Sequence, residues 1–397
     1  MNSANQNKQC NPDGPVMIIG SGLAGWTIAK EFRKIDSSTP LVMVTAESGD
    51  FYAKPALSNA FAQKKDALQL VTTSAEKMVG TVGVTLLQNT VVTNIDATTQ
   101  EVETSKGRFG YRQLILATGA RAIKLGIQGD AAQEVLSVNS LLDYSELRNK
   151  LSPGARVLII GAGLIGCEFA NDLVQGGFNV QLVDPSTGPL SALLPAPAST
   201  QLRDALTGIG VYWHLGTSVR SVDRAANNSL QVTFHNNLTS LVDVVISAVG
   251  LRADCTIAQT AGAYCERGVV VDAQLQTSVK NVYALGDNTQ YAAQSAGGVS
   301  RTLPYVLPIM NAAKALAQTL IGNPTKVEFP VMPVVIKTPA LPIVVASPSP
   351  GIMGEWRSAG EGIWNYFDSQ ESVKGFLLMG SQTSQRSEQM KRLLTPS

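Results

Sequence analysis

Two glycine-rich segments with the same spacing are the residues of this chain that most strongly suggest chemistry. Residues 20–25 read GSGLAG and residues 161–166 read GAGLIG, so both fit the pattern G-x-G-x-x-G. In this pattern the first glycine makes a tight turn, the second lets the backbone approach a pyrophosphate, and the third lets a helix pack against a strand. The N-terminus of the following helix favours the phosphate charge. The sequence therefore predicts two separate dinucleotide sites.

The elements that must position these glycines occur in the same order around both motifs. An apolar run typical of a buried parallel strand precedes each motif, at 16–19 and at 157–160. Apolar residues at helical spacing follow, and a second predicted strand comes next, at 41–44 and at 180–183. One such motif alone is a weak indication, but two in the same context predict two βαβ units.

An acidic residue after the second strand of each unit is expected to accept hydrogen bonds from an adenosine ribose. Asp184 has this position in the second unit, where its charge would repel a 2′-phosphate and favour NADH over NADPH. The alternative is that Asp184 only caps the turn at Pro185. In the first unit the acid is Glu47 or Asp50, because Ala46 stands where a carboxylate is expected.

Three further segments combine a buried strand with a glycine or an acid at its end. Residues 114–119 lie between the two units, residues 244–250 follow the second unit, and residues 282–287 end on an acid. Ligands of open α/β sheets bind at the carboxyl ends of strands, which makes these ends candidate cofactor contacts. From about Lys326 the chain is rich in Val, Ile and Pro, which predicts a smaller, largely antiparallel domain.

Composition excludes several classes of partner. The 397 residues carry a net charge of +1, which gives no reason to expect nucleic acid or an anionic membrane as a partner. No apolar run approaches the roughly 20 residues of a membrane span. Residues 1–14 are polar and predict a disordered N-terminal arm rather than a signal peptide. These features favour a cytoplasmic protein.

The cysteines and histidines form no pattern typical of a dithiol or a metal site. No two cysteines have the spacing CxxC or CxxxxC, and free thiols are expected, although Cys255 and Cys265 could meet across a loop. Of the two histidines, one is expected to be structural and one to lie at the surface. These residues are Cys10, Cys167, Cys255, Cys265, His214 and His235.

Several longer motifs give the chain a resemblance to a known family. They are YAKP at 52–55, GAGLIGCEFAND at 161–172, SAVGLR at 247–252, YALGD at 283–287 and KTP at 337–339. From about residue 15 to 350 the chain resembles flavoprotein reductases of the glutathione-reductase type, and among them the bacterial rubredoxin reductases.

The resemblance implies an α/β fold with two Rossmann-like dinucleotide-binding domains and a smaller C-terminal α+β domain. It implies a discontinuous FAD-binding domain at 15–120 and 245–325. An NADH-binding domain would follow at 121–244 and a C-terminal domain at 326–397.

The resemblance also assigns a cofactor to each unit, and it implies no metal. The implied FAD residues are Gly20, Ser21, Gly22, Leu23, Ala24, Gly25, Ala46, Glu47, Lys54, Val92, Ala117, Thr118, Gly119, Asp287, Val306 and Lys337. The implied NADH residues are Gly161, Gly163, Leu164, Ile165, Gly166, Glu168, Asp184 and Gly250.

Lys54 and Glu168 are the catalytic residues that the resemblance implies, with Lys337 also near the isoalloxazine. A lysine beside the flavin would stabilise negative charge that develops on reduction. The carboxylate of Glu168 would hold Lys54 in place by a charge-assisted hydrogen bond. The alternative is that Lys54 is an ordinary surface lysine beside a proline.

Residues 51–60 contain no cysteine, whereas disulphide reductases carry their redox dithiol in this region. Electrons are therefore expected to leave the flavin directly. The resemblance implies hydride transfer from NADH to FAD and then single electrons to rubredoxin, feeding an oxygenase such as alkane hydroxylase. A ferredoxin as the acceptor, or a redox sensor that binds NADH and FAD with little turnover, are alternatives. Both a monomer and a homodimer remain open.

Overall fold

The computed structural model describes residues 14–394, so most of the expected N-terminal arm lies outside the described residues. Contacts within the chain divide it into two compact units. The first comprises Val71–Arg121, Arg252–Pro330 and the described part of Met1–Ala53. The second comprises Lys54–Leu70, Ala122–Leu251 and the described part of Val331–Ser397. The domain boundaries given from the sequence stay a prediction.

Short strands and helices alternate along most of the chain. The strands are β1 (Val16–Ile19), β2 (Leu41–Val44), β3 (Thr85–Leu87), β4 (Val92–Asp96), β5 (Glu101–Thr104), β6 (Gly107–Gly110), β7 (Gln113–Leu116), β8 (Ala120–Ala122), β9 (Arg156–Ile160), β10 (Asn179–Asp184), β11 (Tyr212–Leu215), β12 (Val219–Arg224), β13 (Leu230–Phe234), β14 (Thr239–Val242), β15 (Val244–Ser247), β16 (Leu251–Ala253), β17 (Val269–Val270), β18 (Val282–Ala284), β19 (Thr289–Tyr291), β20 (Arg301–Thr302), β21 (Val334–Ile336), β22 (Ile343–Ala346), β23 (Gly354–Gly360), β24 (Ile363–Asp368) and β25 (Val373–Met379). The α-helices are α1 (Leu23–Ile35), α2 (Ala75–Val82), α3 (Leu141–Lys150), α4 (Leu164–Gln175), α5 (Ala196–Gly208), α6 (Thr256–Thr260), α7 (Val306–Leu320) and α8 (Arg386–Leu394). Short 3-10 helices cover Lys54–Asn59, Leu68–Leu70, Ala132–Glu134, Ala226–Asn228 and Gly380–Gln385.

The first unit is built on a parallel sheet with the strand order β18-β7-β1-β2-β3. Its central strands are runs of Val, Ile, Leu and Met, the residue types that pack when both faces of a sheet are covered. Ile19 pairs with Val44 on one side and with Leu116 on the other, so the carboxyl ends of β1, β2 and β7 lie side by side. Trp26 and Phe32 of α1 belong to the same apolar core. The predicted order of strand, glycine turn, helix and strand is confirmed.

The second unit contains a parallel sheet with the strand order β11-β10-β9-β15. Ile160 at the end of β9 pairs with Val183 of β10 and with Ser247 of β15. Helix α4 connects β9 to β10, which confirms the second βαβ unit. An antiparallel sheet, β12-β13-β14, forms a second apolar cluster with this region.

The C-terminal part of the second unit is an antiparallel sheet with the strand order β21-β22-β25-β24-β23. Phe376 and Leu378 of β25 pack with Val344 and Ala346 of β22, and helix α8 adds Met390 to this cluster. The expectation of an antiparallel C-terminal segment is confirmed. Within residues 14–394, none of the helices combines the length and the apolar character that a membrane span needs.

Candidate functional site

The first glycine motif forms a turn whose three glycines have different surroundings. A Cβ at Gly20 would lie 2.3 Å from the carbonyl oxygen of Ala117, and a Cβ at Gly25 would lie 1.9 Å from the carbonyl oxygen of Gly20. At Gly22, no described atom other than those of Gly22 and its two chain neighbours lies within 4 Å of such a Cβ. Gly22 is also the N-cap of α1, and no described side chain caps it. The free N–H groups of the first helical turn therefore face open space, as an anion site requires.

The second motif repeats this arrangement in the second unit. A Cβ at Gly161 would lie 2.8 Å from the carbonyl oxygen of Ala248, and one at Gly166 would lie 1.9 Å from that of Gly161. Gly163, the N-cap of α4, again has open space at its Cβ position, and no described side chain caps the helix. Leu164 and Ile165 form the first helical turn. Both cradles therefore fit the pyrophosphate of a dinucleotide.

The carboxylate of Asp184 is fixed by backbone donors at the end of β10. Its Oδ2 accepts a hydrogen bond from Ala162 N at 2.7 Å, and its Oδ1 accepts one from Ser186 N at 2.8 Å. The turn-capping role that the sequence left open is thus present. Each carboxylate oxygen can accept a second hydrogen bond, so a ribose contact is compatible with this geometry and stays a prediction.

The two acids considered for the first unit have different environments. Asp50 Oδ1 accepts a hydrogen bond from Ala75 N at 2.8 Å at the start of α2, and its Oδ2 accepts one from Ser48 Oγ at 2.8 Å. Glu47 is exposed just beyond the carboxyl end of β2, as is Ala46. Asp50 is thus held by two donors, whereas Glu47 is exposed, and which of the two acids meets a ribose stays a prediction.

The other predicted FAD residues of the first unit lie mostly at the carboxyl ends of its parallel strands. Ser21 Oγ donates to Thr45 Oγ1 at 2.8 Å, beside the first glycine turn. Thr118 and Gly119 follow β7, and Thr118 Oγ1 donates to the carbonyl of Asp254 at 3.1 Å. Asp287 follows β18 and is half-buried. The remaining residues are Leu23 and Ala24 in α1, Ala117 after β7, Val92 at the start of β4 and Val306 at the start of α7.

Glu168, Lys337 and Ser58 form a charged cluster within the second unit, in which Glu168 and Ser58 are buried and Lys337 is partly exposed. Glu168 is only 4% exposed. Its Oε2 accepts from Lys337 Nζ at 2.9 Å and from Ser58 Oγ at 2.6 Å, while its Oε1 accepts from Lys337 N at 3.0 Å. A buried carboxylate is stable only when it is paired and hydrogen-bonded, and these donors meet that condition.

The partner of Glu168 differs from the sequence expectation. The ammonium that reaches this carboxylate belongs to Lys337, just beyond β21, and the predicted pairing of Lys54 with Glu168 is wrong. Lys54 Nζ instead donates to Asn139 Oδ1 at 3.4 Å. Lys54 is half-buried in the 3-10 helix Lys54–Asn59, so it is not a free surface lysine either.

Two neighbouring polar residues of α4 bind backbone rather than side chains. Asp172 accepts from Phe61 N at 2.8 Å and from Ala62 N at 3.0 Å. Burial raises the pKa of Asp172 above its ordinary value, and the backbone donors oppose that rise. Asn171 Oδ1 accepts from Ala340 N at 3.0 Å. Helix α4 therefore holds residues 54–62 and 337–340 by polar contacts as well as by packing.

Three residues that make these contacts were not among the residues predicted from the sequence: Ser58, Asn171 and Asp172. The available signal was the end of GAGLIGCEFAND, where Asn171 and Asp172 follow a helix start that is apolar except for Glu168. Ser58 had no comparable signal, because its partner lies far away in the sequence.

The thiols and imidazoles agree with the sequence prediction. Cys167, Cys255 and Cys265 are free, and Cys10 lies outside the described residues. Burial raises the pKa of the Cys167 thiol, which removes thiolate character. His214 Nε2 is 2.8 Å from Gln181 Oε1, a structural contact. His235 is exposed. Within residues 14–394 no group of His, Cys, Asp and Glu could hold a metal ion.

Both dinucleotide cradles lie in a segment that matches a known protein family. A family model described as pyridine nucleotide-disulphide oxidoreductase matches residues 14–318. The chain belongs to this family. A second model, described as the rubredoxin binding C-terminal domain, matches residues 326–393. As a pyridine nucleotide-disulphide oxidoreductase, the chain is an FAD-containing, NADH-dependent oxidoreductase.

Individual members of this family are similar over nearly the whole chain. The rubredoxin-NAD(+) reductase of Alcanivorax borkumensis is 41% identical over 382 residues, which are 96% of this chain and 98% of that protein. The rubredoxin-NAD(+) reductase of Acinetobacter baylyi is 37% identical over 377 residues, with 92% and 94% covered. The crystal structure of the covalent putidaredoxin reductase–putidaredoxin complex is similar with a TM-score of 0.85 and 23% identity, covering 97% of this chain and 94% of that chain. This last likeness supports the fold alone.

Proposed function

We propose that the chain is an NADH:rubredoxin oxidoreductase that acts in the cytoplasm. The observation that carries the proposal is the C-terminal antiparallel sheet, whose residues 326–393 match the rubredoxin binding C-terminal domain. The same chain holds two dinucleotide cradles and no cysteine at 51–60. A path from NADH to a one-electron iron protein accounts for these three features together.

The first cradle would hold the pyrophosphate of FAD. The N–H groups at the start of α1 supply positive partial charge, and Gly22 leaves room for the phosphate. Glu47 would accept hydrogen bonds from the adenosine ribose of FAD. Asp287, at the end of β18, would bind the ribityl or pyrophosphate part.

The second cradle would hold the pyrophosphate of NADH at the start of α4. Gly163 leaves the corresponding space open. Asp184 is already fixed by two backbone donors, so its carboxylate would meet a 2′-hydroxyl without reorganisation. A 2′-phosphate would meet the same fixed negative charge, which disfavours NADPH. Gly250, after β15, lies at the same edge of the sheet.

Lys337 and Glu168 would provide the charge beside the isoalloxazine. FAD, when bound, supplies the conversion between a two-electron donor and a one-electron acceptor. The protein's contribution is an ammonium on Lys337, held by a buried carboxylate, that stabilises negative charge near the ring. Lys54, held by Asn139, would be the second cation at the ring.

The proposal is tested by following NADH-driven reduction of two iron proteins, rubredoxin and a plant-type [2Fe–2S] ferredoxin, under the same conditions. We expect the rate constant for rubredoxin to exceed that for ferredoxin by about tenfold or more. Reduction of ferricyanide by NADH is the control, because it needs flavin reduction but no protein docking. Equal or faster reduction of ferredoxin would indicate that the chain is an NADH:ferredoxin reductase instead. Flavin reduction without turnover towards any acceptor would favour the redox sensor.

A further inference from the structure

Ser58 occupies a position between the two charges of the Glu168–Lys337 pair. It lies in the 3-10 helix Lys54–Asn59 and is 2% exposed. Its hydroxyl donates to Glu168 Oε2 at 2.6 Å, and Lys337 Nζ approaches the same hydroxyl oxygen at 3.4 Å. The hydroxyl therefore donates to the carboxylate and accepts from the ammonium, which is the one orientation that both charges favour.

Lys337 needs this contact because its side chain is not fully enclosed. The side chain is 35% exposed, whereas that of Glu168 is 5% exposed. A long lysine side chain that is this accessible can turn its ammonium towards water. Glu168 Oε2, the carbonyl of Pro55 and the hydroxyl of Ser58 are the groups that hold the ammonium inward.

Removing the Ser58 hydroxyl would affect both charges at once. Glu168 Oε2 would keep only the ammonium as a donor, and a buried carboxylate with too few donors is costly. The carboxylate would then turn towards other donors or draw in water, and the ammonium would lose one of its inward contacts. Both responses make the position of the Lys337 ammonium less fixed.

We propose that Ser58 is a positioning residue, whose hydroxyl fixes the Lys337 ammonium through Glu168 for reduction of the flavin by NADH. The inference deepens the proposed function and rests on the part of it that puts Lys337 beside the isoalloxazine. Ser58 itself needs no contact with cofactor or substrate for this role.

The test is Ser58→Ala in the full chain with FAD bound, and it has two readouts. Stopped-flow reduction by NADH gives the flavin-reduction rate constant and the NADH concentration at half-saturation. We expect the rate constant to fall about tenfold, as for loss of a hydrogen bond to a charged group, with half-saturation unchanged. Redox titration should give a more negative flavin midpoint potential, because a mobile ammonium stabilises reduced flavin less.

Ser199→Ala is the matched control. Ser199 is 4% exposed and its hydroxyl donates to the carbonyl of Pro189 at 2.5 Å, so the variant also loses a buried serine hydrogen bond. Neither partner is charged. We expect the wild-type rate constant and midpoint potential. If Ser199→Ala changed the rate constant and the midpoint potential as much as Ser58→Ala does, the two readouts would report any loss of a buried hydrogen bond, and the proposal would be overturned.

A double variant separates positioning from a merely structural role. Ser58→Ala should change the rate and the potential little when it is added to Lys337→Met, because the charge that Ser58 positions is then absent. Full additivity, or wild-type values in Ser58→Ala itself, would overturn the proposal. Wild-type values in Lys337→Met would overturn it too, since Lys337 would then have no influence on the flavin.

Ser58→Gly is the second variant if Ser58→Ala does not retain FAD. It removes the same hydroxyl and leaves room for a water molecule, which can solvate Glu168 but cannot fix Lys337. The same changes in rate and potential are expected. The flavin-reduction step involves no rubredoxin, so failure of the wild type to reduce rubredoxin would reject the proposed function without deciding the role of Ser58.

Discussion

Replacing Lys337 by methionine should destabilise the fold, because it leaves the carboxylate of Glu168 buried without its counter-ion. Breaking a buried ion pair from one side costs about 3–5 kcal/mol. In the variant Glu168 keeps two donors, Ser58 Oγ and the backbone N–H of the substituted residue, and the accessibility of this side-chain position lets water reach the site. We therefore expect a loss of about 2 kcal/mol in the free energy of unfolding.

Urea unfolding of the holoprotein, followed by circular dichroism, measures this loss. Lys150→Met is the control, because Lys150 pairs with Glu146 at 3.4 Å on the exposed side of α3. Such a surface pair should contribute less than about 0.5 kcal/mol. Adding Glu168→Gln to Lys337→Met should recover about half of the loss, since no buried charge is then left unpaired. Equal losses in the two lysine variants, or no recovery in the double variant, would refute this account of the pair.

Three other predictions concern the nucleotide, the thiols and acid stability. Asp184→Ala should lower kcat/KM for NADH about tenfold and reduce the preference of the enzyme for NADH over NADPH. Equal use of both nucleotides by the wild type would contradict this role of Asp184. Replacing all four cysteines should leave NADH–ferricyanide turnover intact. Burial raises the pKa of the Cys265 thiol to about 12, so this thiol should react slowly with iodoacetamide at pH 8. For Asp36, burial raises the pKa of the carboxyl, but hydrogen bonds from Thr39 and Ser38 outweigh this and lower the pKa to about 2. The contribution of Asp36 to the free energy of unfolding should therefore be complete above about pH 4 and be lost as the pH falls towards 2. In urea unfolding, Asp36→Ala should lower the free energy of unfolding less at pH 3 than at pH 7.

The two cradles could be predicted from the sequence because the residue pattern that marks each of them is local. A strand, three glycines and the start of a helix lie within about ten residues, and each glycine has its own steric reason. The acid of the second βαβ unit, Asp184, lies at the end of β10, as the sequence predicted. Its backbone contacts with Ala162 and Ser186 show that capping and ribose binding are compatible, where the sequence offered them as alternatives.

The charged cluster could not be predicted in full because its members are distant in the sequence. Glu168 meets Ser58 across 110 positions and Lys337 across 169 positions. Two lysines, Lys54 and Lys337, were available for the carboxylate, and no local pattern decides which ammonium reaches it. Likewise the apolar pattern predicted an antiparallel C-terminal sheet, but the strand order β21-β22-β25-β24-β23 depends on long-range pairing.

The way in which Asp172 holds residues 54–62 has a consequence for evolution. Asp172 binds Phe61 and Ala62 through their backbone N–H groups, which every residue type except proline provides. The side chains at positions 61 and 62 can therefore change without loss of this anchor. Disulphide reductases carry a dithiol in the region where this chain has Lys54 and Ser58. An anchor that binds only backbone would hold this segment equally well whether the residues before it are a dithiol or, as here, Lys54 and Ser58.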